Sequence, residues 1–97
     1  MRRKYLRISD VTEICEVDAK FVMRLERESV ISPILRGREK VYPLDQVDRV
    51  RVARLLMQEM GVNLEGAEVA LHMRDQMIAM QRQFNEILRL LGEELKK

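Results

Sequence analysis

The sequence has little of what chemistry usually needs. It contains one cysteine, Cys15, and one histidine, His72, which lie far apart. An internal disulfide is therefore excluded and the spacing of a zinc site is missing. There is no glycine-rich phosphate loop, no pair of carboxylates at short catalytic spacing, and no nucleophile with a histidine nearby. These absences argue against an enzyme, and no cofactor or metal is expected. No apolar run is long enough to cross a bilayer, and the amino-terminal Met1-Arg2-Arg3-Lys4-Tyr5-Leu6-Arg7 carries charge without an apolar stretch behind it. A cytoplasmic protein is expected, with Cys15 a buried helix residue.

What the chain does have is patterned. With 46% apolar and 35% charged residues it reads as folded rather than disordered. Its last third carries an apolar seam, Ala70, Met73, Met77, Met80, Phe84, Ile87 and Leu91, in alternating steps of three and four. That spacing puts the seam on one stripe of a helix, at the a and d positions of a coiled coil. A lone helix cannot cover such a stripe, so pairing with a second copy is expected. The flanking e and g positions, Arg74, Gln76, Gln81, Gln83, Leu88 and Leu90, are too poor in charge to set parallel or antiparallel pairing. Leu88 and Leu90 also widen the apolar face, leaving open packing on the partner's head or a bundle larger than a dimer.

The chain divides into a head, residues 1–62, and an arm, residues 63–97. Net charge is only +2, but the head holds thirteen Lys and Arg against ten Asp and Glu, while the arm holds five against six. The head is therefore the half suited to an acidic partner. Ser9 is the expected cap of a first helix with Val11, Ile14 and Cys15 facing inward, and Asp18 of a second running to about Glu28. Two short helices about three residues apart make a helix-turn-helix candidate. In the second helix Phe21, Val22 and Leu25 share a face for packing, while Lys20, Arg24 and Arg27 form a cationic stripe suited to a DNA major groove. The same stripe would also serve as a solvated face partly neutralised by Glu26 and Glu28.

After Ser32-Pro33, the extended candidates Ile34-Leu35 and Val41-Tyr42 flank the turn Arg36-Gly37-Arg38-Glu39. This predicts a two-stranded wing whose Arg36, Arg38 and Lys40 could follow a phosphate backbone, or an ordinary surface hairpin. A third helix begins at Pro43 with Val47, Val50, Ala53, Met57 and Met60 inward, and Gly61 ends it. Asn63 then caps the arm, with Leu64, Ala67 and Leu71 packing on the head. Gly66 lies within the first turns of that helix, where close packing on the preceding helix would account for it. The fold class is thus mainly α, a winged helix-turn-helix with a small β-hairpin wing and a long coiled-coil helix.

Four stretches carry a resemblance: Ile8-Ser9-Asp10-Val11, Leu25 through Pro33, Lys40-Val41-Tyr42, and Met60-Gly61-Val62-Asn63-Leu64-Glu65-Gly66. In them the chain resembles the MerR superfamily of winged-helix proteins over nearly its whole length. The resemblance implies a bacterial homodimer on palindromic DNA, joined by an antiparallel coiled coil. Met23, Arg24 and Leu25 stand where that family usually presents an arginine followed by tyrosines, so its phosphate contacts are only partly matched. The chain stops at Lys97 without the extra domain of effector-sensing members, so no small-molecule effector is expected. The run from Asn63 to Met77 looks most like two chaperone-linked branches, the HspR-type heat-shock repressor and the CbpM-type modulator that binds the J-domain of a DnaJ-type co-chaperone. The first implies a transcription regulator linked to heat-shock genes. The second implies a co-chaperone partner, docked through acidic residues such as Glu65, Glu68, Asp75 and Glu86. Both readings stay open on sequence alone.

Overall fold

The computed structural model describes residues 4–96, so the basic Met1-Arg2-Arg3 start lies outside the described residues. The elements run β1 (Tyr5–Leu6), α1 (Ile8–Cys15), α2 (Ala19–Arg27), β2 (Ile34–Arg36), β3 (Glu39–Pro43), α3 (Leu44–Arg54), a π-helical turn (Leu55–Glu59) and α4 (Leu64–Leu95). Helix α1 starts before Ser9 because Asp10, not Ser9, supplies the capping oxygen, accepting the Arg7 backbone N–H at 3.3 Å. Val11 and Cys15 are buried as expected, but Ile14 is 60% exposed. Packing of α1 is centred on Val11 and Cys15, which turns Ile14 outward. Burial pushes the Cys15 thiol up, and its Sγ lies 3.7 Å from the Val47 carbonyl oxygen.

The Asp18 carboxylate accepts the Phe21 N–H at 2.8 Å and starts α2, whose Phe21, Val22 and Leu25 are buried. The helix stops at Arg27, ahead of Ser29 at φ 61°, and buried Val30 and Ile31 pin the following turn to the core. The two-stranded wing forms as the hairpin β2–β3, and β1 adds a third strand on the other side of β3. Antiparallel order is β1-β3-β2, with Leu6 opposite Tyr42 and Leu35 opposite Lys40. Leu6 joins the core beside Tyr42, which is what recruits so short a strand. Gly37 closes the hairpin at φ 65°, a conformation that glycine adopts without a side-chain clash.

Val47, Val50 and Ala53 line the buried face of α3, and Met57 packs partly buried beneath them. Met60, expected on the same face, is 64% exposed. The π-helical turn changes the angular step between residues and carries Met60 away from the core. Gly61, at φ 71°, ends the segment, and Asn63 caps α4 by accepting the Gly66 N–H at 2.8 Å. A Cβ on Gly66 would lie 2.7 Å from Val62 Cγ1, so the crowding comes from the connecting turn and not from the preceding helix.

Only the base of α4 is buried, through Leu64, Ala67 and Leu71. With 32 residues this helix is about 48 Å long, and most of it projects beyond the head. Ion pairs brace its departure across a cleft of about 470 Å³ between the 29–32 loop, α3 and α4. Arg49 donates to the Val30 carbonyl at 2.9 Å and to Asp75 at 2.6 Å. Arg74 reaches across to Asp48, which also accepts from Arg51 at 2.7 Å.

Burial pushes the Asp48 carboxyl up, but the bonds from Arg74 and Arg51 outweigh it, so the group is held below its ordinary value of 3.8. A depressed carboxyl contributes stability above its unfolded value and loses it as the pH falls through the folded one. Asp48→Asn should therefore lower stability at neutral pH and flatten the loss of stability below pH 3.8, as read by urea unfolding at stepped pH. An unchanged acid limb would show that the pairs do not brace the arm.

Candidate nucleic-acid interface

Burial of one face of α2 dictates what its other face shows. At about 100° per residue, Lys20, Met23 and Arg27 fall within about 60° of arc, centred about 180° from Phe21, Val22 and Leu25. Arg24 flanks this stripe on one side and Glu26 on the other, toward the wing. Lys20, Arg24 and Arg27 are exposed, and their side chains make no ion pair or hydrogen bond among the described residues. Glu26 and Glu28 therefore do not neutralise them by contact.

Glu26 is occupied elsewhere. Its two carboxylate oxygens accept from Lys40 Nζ at 2.6 Å and from the Tyr42 hydroxyl at 3.3 Å. This clasp joins α2 to β3. It takes up Lys40, which the sequence groups with Arg36 and Arg38 as a phosphate-facing cation. The Tyr42 phenol is pushed up to about 12, first by burial and then by the charge and hydrogen bond of Glu26, so it stays a neutral donor. A shallow groove of about 320 Å³, lined by Met23, Glu26, Arg27 and Lys40, runs between α2 and the wing.

At the wing, Arg38 is exposed in the turn and makes no ion pair among the described residues. Arg36 is also exposed, with its guanidinium 4.9 Å from the centroid of the Tyr5 ring. That stacking orients the cation without neutralising it. Arg7, which the sequence reading did not single out, pairs with Glu39 at 2.6 Å. Cross-strand order was the signal for this, since it depends on β1 lying beside β3.

On the arm, Met73, Met77, Met80, Phe84, Ile87 and Leu91 are all exposed, and Ala70 is half-buried. Exposed Val69 and Leu95 fall on the same stripe at about 100° per residue and extend it at both ends, and Leu88 widens it. Of the four acidic candidates, Asp75 is paired with Arg49 at 2.6 Å and Glu86 with Arg89. The Arg89 hydrogen bonds hold the Glu86 carboxyl below the usual carboxylate range. Glu65 and Glu68 make no ion pair among the described residues. No group of three metal-ligating side chains converges among the described residues, and none of their helices is long and apolar enough to cross a membrane.

The Lys40–Glu26 pair is half exposed on the lysine side, where ion pairs contribute little. Lys40→Ala should cost no more than about 1 kcal/mol in urea unfolding. A larger loss would mean that the clasp holds the core together and does not merely set the wing beside α2.

The model of the family described as MerR HTH family regulatory protein matches residues 6–89, which span the head and most of the arm. No curated protein matches the chain.

Proposed function

The chain belongs to the MerR HTH family of regulatory proteins and is a DNA-binding transcription regulator; from that premise we propose that it acts as a homodimer on a palindromic operator of heat-shock or chaperone genes. The observation that carries the reading is the set of unpaired, exposed cations on α2, Lys20, Arg24 and Arg27, opposite a buried face that fixes their direction. In this reading α2 enters the major groove, and Arg36 and Arg38 hold flanking phosphates. Lys40 acts at one remove, by holding Glu26 away from the duplex. The chaperone link rests on the likeness of the stretch from Asn63 to Met77 to chaperone-linked branches.

The seam of α4 joins the two copies. Pairing is antiparallel in this reading, as the family resemblance implies. A second reading, docking on the J-domain of a DnaJ-type co-chaperone, draws on the acidic residues of the arm. Two of these, Asp75 and Glu86, already have arginine partners, so fewer are left to meet a basic helix.

Counterion release gives a quantitative test. Five phosphate contacts per protomer would make the log-log salt slope of a dimer about −9, at about −0.9 per phosphate. Arg38→Ala should weaken binding to all sequences and flatten the slope by about 2, whereas Lys40→Ala should leave the slope unchanged. An unchanged slope in the Arg38 variant would remove the wing from the interface. A J-domain complex with no affinity for any duplex would favour the second reading.

The seam is tested separately. Met77→Asp with Phe84→Asp places charge in the interface, where unpaired burial costs several kcal/mol, so sedimentation should show a monomer at micromolar concentration. Met73→Cys, near one end of the seam, should form no disulfide between copies in an antiparallel pair, Cys15 being buried. A disulfide between copies at Met73→Cys would indicate a parallel pair.

A further inference from the structure

One side chain on the α2 stripe has no use for phosphates. Met23 is 55% exposed, lies between Lys20 and Arg27 along the helix and at the wing-side edge of the outward arc, and forms one wall of the groove beside the Glu26–Lys40 clasp. It packs on no core residue, because the core face of α2 belongs to Phe21, Val22 and Leu25. Resting on the DNA-binding reading above, we propose that Met23 is a base-reading residue that selects thymine through its C5-methyl group.

The argument is geometric and chemical. Lys20 and Arg27 are seven residues apart, about 10 Å along the helix, or about three base-pair steps. Met23 lies about 4.5 Å along from Lys20, inside that span and at the midpoint of the nine-residue helix, within reach of base edges when a recognition helix docks. Long cations on both sides can reach phosphates or guanine acceptors. A methionine side chain offers an apolar, adaptable surface with only a weak sulfur acceptor. In the major groove thymine presents a methyl group, whereas cytosine presents an amine that needs an acceptor. Glu26, the carboxylate nearest this side of the helix, is directed toward the wing by its bonds from Lys40 and Tyr42. Met23 therefore rewards thymine and leaves a cytosine amine without a partner.

The test starts from random-sequence duplexes selected on the full-length protein. Each conserved thymine in the selected site is then replaced by deoxyuridine, which keeps the base pair and removes only the methyl. At one thymine per half-site the replacement should weaken binding about fourfold, the value of one buried methyl-sized group. Met23→Ala should bind the thymine and uracil duplexes equally, and Met23→Leu, which keeps an apolar side chain, should retain most of the difference. A penalty that persists unchanged in Met23→Ala, or no penalty in the unaltered protein, would overturn the assignment while leaving DNA binding intact. Retention of no duplex at all would instead overturn both this assignment and the regulator reading.

Discussion

Burial of Leu64, Ala67 and Leu71 holds the base of α4 against the head, and everything proposed for the pair depends on the direction this gives the rest of the helix. The helix then carries a second apolar stripe, turned well away from the first, that the head does not reach. One element thus serves two surfaces, a core at its base and an uncovered seam beyond. The arginine and aspartate pairs between α3 and α4 add little energy singly. They brace α4 in the orientation that burial of its base has already set.

The same division of labour governs the head. Apolar burial fixes the roll of α2, and the Glu26 clasp fixes its distance from the wing. Neutralising Glu26 inside the protein has an electrostatic consequence. The one carboxylate on the wing side of the stripe is matched by Lys40, so the outward face keeps the field of Lys20, Arg24 and Arg27. A local cationic surface can therefore exist in a chain whose net charge is only +2.

Much of this was legible in the sequence where periodicity or a cap carried it. The steps of three and four along the arm, Asp18 and Asn63 as caps, and Gly37 in the hairpin each specify local geometry without reference to the rest of the chain. What escaped were features set by neighbours distant in sequence. Tyr5 and Leu6 become a strand only because Tyr42 offers a buried partner. Lys40 loses its freedom to Glu26, fourteen residues away, and Asp75 to Arg49, twenty-six away. Met60 falls on the inner face only if the helical repeat continues, and the π-helical turn breaks that repeat. Leu95 lies one residue off the three-four spacing, so its place on the stripe emerges only when the helix angle is followed to its end.

The central claim is that two copies joined by their arms present two α2 helices to one duplex. It is tested most directly by the native mass of the complex formed with a duplex selected from random sequence. The account predicts two chains per duplex, and for Lys20→Ala/Arg24→Ala/Arg27→Ala a protein that is still paired but forms no complex. A complex with a single chain, or one that survives the triple substitution, would contradict it.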